Sequence, residues 1–153
     1  MYDKEYREIT MIAERLLEET NAKCVYLVDK DGQLINSCGS TAGIDSTSLA
    51  SLTAGNIAAT GGLAKLIGEK EFSILFHEGE RDNIHISVVG QRVILVVIFD
   101  KRSSLGLVRL RVKRASEELN RSLEKLIDKM HVGAGEENLL KEITDEDIER
   151  LFS

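Results

Sequence analysis

Residues 45–68 read DSTSLASLTAGNIAATGGLAKLIG, and the fold of the whole chain depends on what this stretch becomes. Asp45 or Ser46 suits a helix start, because the side-chain oxygen accepts the first free backbone N–H groups. Gly68 suits the helix end. Leu49, Leu52, Leu63, Leu66 and Ile67 fall near helical spacing and predict apolar contacts. Almost everything between them is small. A helical glycine costs about 1 kcal/mol relative to alanine, so Gly55, Gly61 and Gly62 together weaken the helix by roughly 3 kcal/mol. Something must offset that cost. Ser51, Gly55 and Ala59 repeat every four residues along one stripe, and Ala54, Ala58 and Gly62 form a second. Close packing on the protein's own sheet accounts for either stripe alone. Two stripes predict that one faces the protein or a dimer mate, while the other is a flat platform for a partner. A phosphate-binding loop fits poorly, since the order Gly-x-x-x-x-Gly-Lys-Ser/Thr is missing.

On the N-terminal side of this helix lie two predicted strands, Lys23 to Asp29 (KCVYLVD) and Gly32 to Cys38 (GQLINSC). Lys30-Asp31-Gly32 suits a three-residue hairpin loop with Gly32 in the left-handed position. That register pairs Asp29 with Gln33 and sets Cys24 opposite Cys38, where side chains lie closest. The two readings are a cross-strand disulfide and two buried thiols in a reducing cytosol, and the second is preferred. On the C-terminal side, Glu71 to Glu78, Asn83 to Val89 and Gln91 to Phe99 predict a three-strand meander. Its last member contains RVILVVIF. So uniformly apolar a strand is expected at the centre of the sheet, covered on both faces.

Amphipathic helices are expected at both ends. Residues 3–20 place Tyr6, Ile9, Ile12, Ala13, Leu16 and Leu17 at intervals of three and four. From Ser103 or Ser104 a long helix carries Leu105, Val108, Val112, Ala115, Leu119, Leu123, Leu126 and Met130 in the same rhythm. Arg109, Arg111, Lys113 and Arg114 cluster near its start, as a solvated face or as a site for an acidic partner surface. Residues 131–142 read as a flexible spacer. The final ITDEDIERLF (143–153 with Ser153) carries a short amphipathic helix signature, with Ile148, Leu151 and Phe152 on one face. A helix so short is marginal alone. It is expected either to dock into a groove of another subunit or protein, or to fold back on its own domain.

The 153 residues suit one domain, 1–130, followed by the spacer and the tail. A net charge of −6 and 5% aromatic residues argue against nucleic-acid binding. No apolar run is long enough to span a membrane, and MYDKEYRE lacks a signal-peptide core, so a cytoplasmic location is expected. Catalytic machinery is not apparent. His77, His85 and His131 lack metal-ligand spacing, and His77 and His85 read as polar surface at a sheet rim. No nucleophile elbow occurs. No metal and no cofactor are expected, and the balance favours a binding module over an enzyme.

With these elements in place, the chain resembles the Roadblock/dynein light chain family, and within it the bacterial regulators of gliding motility and cell polarity. The likeness rests on VDKDGQLI (28–35), DSTSLASLTAGNIAATGGLAKLIGEKEF (45–72), FHEG (76–79), RVILVVIFDKRSSLGLVRLRVKRASEEL (92–119) and the terminal ITDEDIERLF. It implies an α+β fold, a Roadblock-type α/β/α sandwich of order αββαβββα. The five-stranded, mainly antiparallel sheet would carry the middle helix on one face and the N- and C-terminal helices on the other. It further implies a homodimer, paired through strand edges, that binds a small Ras-like GTPase of the MglA kind and accelerates its GTP hydrolysis. No arginine finger would be supplied; the GTPase's own arginine and glutamine would be ordered instead. Arg102 and Arg109 are the candidates if a finger exists after all. Ala54, Ile57, Ala58, Gly61, Gly62 and Lys65 are the expected contact strip. Ile148, Leu151 and Phe152 are the expected second contact, with a role in nucleotide exchange. The rivals are a non-catalytic scaffold dimer and a small-molecule or redox sensor using Cys24 and Cys38.

Overall fold

A computed structural model describes residues 3–134, with side chains described as far as residue 130. Residues 131–134, expected to open the spacer, instead continue α3; the remainder of the expected spacer, 135–142, and the terminal segment 143–153 lie outside the described residues. The element order is α1 (Asp3–Thr20), β1 (Cys24–Asp29), β2 (Leu34–Gly39), α2 (Ser46–Leu66), β3 (Ile74–Glu78), β4 (Asn83–Val89), β5 (Val93–Phe99) and α3 (Leu105–Ala134). All five strands form one antiparallel sheet in the order β2-β1-β5-β4-β3. The order αββαβββα and the α/β/α layering are thus as the sequence implied.

β5 is the middle strand, and all seven of its residues are buried. Its alternate residues feed two cores, because successive side chains point to opposite faces. Val93, Leu95, Val97 and Phe99 join Ile9, Leu16, Val108, Leu119 and their neighbours under α1 and α3. Ile94, Val96 and Ile98 join Tyr26, Val28, Ala50 and Ile57 under α2. The α1–α3 layer is also tied by ion pairs, Arg15 to Glu118, Arg111 to Glu19 and Lys129 to the buried Glu5.

The hairpin loop forms as expected. Asp29 N–H donates to the Gln33 carbonyl at 2.9 Å, and Gly32 sits at φ +95°. The Asp29 carboxylate also accepts from the backbone N–H groups of Asp31 and Gln33. The register beyond it corrects the sequence reading. A bulge at Ile35 shifts the pairing between Leu27 and Val28, so Cys24 faces Gly39 and Val25 faces Cys38. One extra residue moves a side chain to the other face of the sheet. Cys24 therefore packs under α2 and Cys38 under α1, both as free thiols, and a Cys24–Cys38 bridge is ruled out by geometry. Gly39 is fixed by the same bend: it has φ +90°, and a Cβ there would lie 2.5 Å from the Lys23 carbonyl oxygen.

The histidines also differ from expectation. Phe76 pairs with His85, and His77 with Ile84, so the two imidazoles occupy opposite faces. His85 is fully buried on the α3 side rather than at a polar rim. Both of its ring nitrogens lack hydrogen-bond partners, as does the neighbouring Ser87 hydroxyl. Burial, with a smaller contribution from the Arg109 charge, holds the His85 pKa below its ordinary value of 6.5. The unfolded chain therefore binds this proton more readily than the folded one. His85 contributes no penalty above pH 6.5, and stability falls as pH drops below it. Urea unfolding between pH 7 and pH 5 should show this loss, with a slope for one proton of at most about 1.4 kcal/mol per pH unit. The His85→Leu variant should flatten the profile over that window.

Candidate functional site

The N-terminus of α2 is pinned in three ways. Asp45 caps it, its carboxylate accepting from Ser48 N–H at 3.1 Å and from the Ser48 hydroxyl at 2.7 Å. Those bonds, the hydroxyl's first, hold the Asp45 pKa below the usual carboxylate range. The buried Tyr26 phenol lies 3.1 Å from Ser46 Oγ and ties β1 to the same turn. The C-terminus closes on Gly68 at φ +79°, with Glu69 N–H donating to the Ala64 carbonyl and Gly68 N–H to that of Lys65. This double bond pattern satisfies the last carbonyls of the helix.

Between those ends the helix buries only Ala50, Thr53, Ile57 and Ala64 against its own sheet. The leucines expected to make internal contacts do the opposite. Leu52 is 74% exposed, Leu63 58%, Leu66 82% and Ile67 69%. Only Leu49, of that set, packs against the core, and it does so in part. Both small-residue stripes also look outward: Ser51, Gly55, Ala59, Ala58 and Gly62 are exposed, with Ala54 half-buried. A Cβ added at Gly55, Gly61 or Gly62 would meet no atom within 4 Å outside the helix itself. The chain's own packing therefore does not require these glycines, and their propensity cost is not offset within it.

The expected contact strip is divided by this geometry. Ala58, Gly62 and Lys65 face outward, Ala54 and Gly61 are half-buried at the margin, and Ile57 points into the sheet. Ile57 backs the strip rather than presenting itself. Leu52, Leu63, Leu66 and Ile67 belong to the outward surface and were missed, because apolar residues at helical spacing normally mark a core face. The three glycines beside them were the available signal.

α2 covers only part of its sheet face. A recess of about 430 Å³ opens between its N-terminal half and β3–β4, lined by Leu49, Leu52, Ile84, Ile86 and Val96. At its margin Asn56 Nδ2 lies 3.1 Å from His77 Nε2. β3 is an edge strand, with Ile74 52% exposed. The thiols offer no reactive group: burial pushes Cys24 up and Cys38 up to about 11. Among the described residues no group of three or more His, Cys, Asp or Glu is placed to hold a metal ion. None of the described helices is long and apolar enough to cross a membrane.

These features define a Roadblock/LC7 domain, and the chain belongs to that family: the model of the Roadblock/LC7 domain matches residues 8–99. Among solved structures it is similar to Myxococcus xanthus MglB, at 62% identity over 76% of this chain and 95% of that one, with a TM-score of 0.74. It is also similar to the gliding protein MglB of Thermus thermophilus, at 37% identity over 79% and 92%, with a TM-score of 0.75. A third structure, described as MglB with a tetrameric arrangement, matches at 35% identity over 79% and 91%, also with a TM-score of 0.75. A Roadblock/LC7 domain from Streptomyces avermitilis, at 13% identity and a TM-score of 0.68, shares the fold. No curated protein sequence matches the chain.

If the outward glycines serve a partner and not the protomer, Gly55→Ala and Gly62→Ala should each stabilise the isolated protomer by about 0.4–1 kcal/mol. Self-association or partner binding should weaken at the same time. Thermal unfolding at low concentration, paired with sedimentation at high concentration, reads both changes.

Proposed function

We propose that this chain is a homodimeric regulator of a small Ras-like GTPase of the MglA kind, stimulating GTP hydrolysis by ordering the GTPase's own catalytic residues. The observation that carries the reading is the outward face of α2: small, apolar and unused by the protomer. Exposed apolar surface of this kind marks interaction sites. The likeness to MglB structures and the tetrameric arrangement described for one of them support self-association. The unpaired edge of β3, with exposed Ile74, and the recess beside α2 are the surfaces a second copy would cover.

In this reading Ala54, Ala58, Gly61, Gly62 and Lys65 meet the GTPase over Ile57 as backing. The dimer binds the catalytically ordered switch conformation better than the relaxed one, and shifts the population toward it. A trans arginine finger contributes 10³ to 10⁵ in rate in other systems, roughly 4–7 kcal/mol, and holding a cis arginine in place supplies part of such a gain. The protein itself brings no catalytic residue. Ile148, Leu151 and Phe152 form a second GTPase contact that promotes nucleotide exchange. The site of action is the cytoplasm, at a cell pole.

GTP turnover by the cognate GTPase, with and without this protein, is the test. Strong stimulation is expected, and binding without stimulation would leave a non-catalytic scaffold dimer instead. Ala58→Arg and Gly62→Arg should abolish GTPase binding with the fold intact by circular dichroism, since both positions are exposed. Arg102→Ala and Arg109→Ala should leave stimulated hydrolysis nearly unchanged; a loss of a hundredfold or more, about 2.7 kcal/mol, at either would restore the arginine-finger mechanism. Removing residues 143–153 should alter nucleotide exchange more than dimerisation.

A further inference from the structure

The outer face of α3 carries cations that the described fold does not neutralise. Lys101, Arg109 and Lys113 are exposed and form no ion pair among the described residues. Leu110 lies among them, 63% exposed. The neighbouring Arg102 and Arg114 are paired with Asp100 and Glu118. The first turn of α3 holds no acidic residue. A helix N-terminus is the positive end of the backbone dipole and favours anions, and Lys101 just ahead of it adds to that field, whereas Arg102 is offset by Asp100.

The chain's negative charge is concentrated elsewhere. Residues 1–134 are nearly neutral, with 19 carboxylates against 18 lysines and arginines. Residues 135–153 hold seven carboxylates against two cations. Within them Asp145, Glu146, Asp147 and Glu149 surround Ile148, with Leu151 and Phe152 close by. That pattern complements Leu110, which has Arg109 beside it and Lys113 one turn on. The distance also permits contact. From Leu110 to Ala134 the helix runs about 36 Å. The fourteen residues from Ala134 to Ile148 reach up to about 46 Å when extended.

We propose that the acidic segment 143–153 docks on the outer face of α3, its apolar residues covering Leu110 and its carboxylates facing Arg109 and Lys113. The docking belongs to this chain alone and is independent of any GTPase. A partner that binds the same segment competes with it, so α3 sets how readily the tail is released. Exposed ion pairs are individually weak and screened by salt, which makes the docked state reversible.

The chain lacks tryptophan, so Phe152→Trp in the full chain provides a single reporter. At low salt its emission should be blue-shifted and its quenching by acrylamide lower than in a free peptide of residues 143–153. High salt should raise quenching toward the peptide value. The pair Arg109→Glu and Lys113→Glu should weaken docking by about tenfold. Adding Asp145→Lys and Asp147→Lys to that background should restore shielding, which a misfolded variant could not do. Peptide-like quenching in the parent chain would overturn the proposal. So would a shielded tryptophan indifferent both to the charge reversals and to Leu110→Ser, because the segment would then occupy another surface.

Discussion

Burial of β5 on both faces is the constraint from which the rest of this structure follows. A strand with no polar side chain from Val93 to Phe99 cannot leave either side to water. At roughly 25 cal/mol per Å² of apolar surface, exposing either face of such a strand would cost several kcal/mol. Two helical layers are therefore obligatory, and the chain supplies them unequally. α1 and α3 seal one side with long amphipathic helices, large side chains and ion pairs. The other side receives a single helix that buries two alanines, a threonine and an isoleucine. That inequality separates a closed face from an unfinished one, and the candidate site lies on the unfinished one.

Much of this was legible in the sequence because the signals were periodic. The uninterrupted RVILVVIF run placed β5 at the centre, and the three/four rhythm of Ile9, Ile12 and Leu16 or of Val108, Val112 and Leu119 marked the core-facing sides of α1 and α3. Turn chemistry also spoke plainly at Lys30-Asp31-Gly32, at the Asp45 cap and at Gly68. What escaped was non-local. No composition signal announces that Ile35 is an extra residue in its ladder, so the unbulged register puts the cysteines on one face when they occupy two. His85 looked polar by type, yet its strand position sends it beneath α3. Within α2, the rule that spaced leucines point inward failed because the inward side had already been given to alanine and threonine.

The same division separates the fold, which the sequence marks strongly, from the site, which it marks weakly. Family membership and layer order depend on elements the chain repeats in kind: alternating strands and amphipathic helices. The proposed contact strip depends on the rotation of one helix about its axis. Ala58, Gly62 and Lys65 look outward while Ile57 looks inward, and small residues leave that rotation almost unmarked in sequence.

The smallness of the α2 face has a geometric consequence of its own. Helices lock at preferred crossing angles when ridges of side chains enter grooves on a neighbour. Along Ser51, Gly55, Ala59, Ala58 and Gly62 there is hardly a ridge to engage. A partner lying there can come near the backbone but is not told at what angle to lie. Orientation is left to the bulky residues at the two ends, Leu52 at one and Leu63, Leu66 and Ile67 at the other. As the proposed interface, the face would separate two tasks: its middle would set how near a partner comes, and its ends which way the partner points.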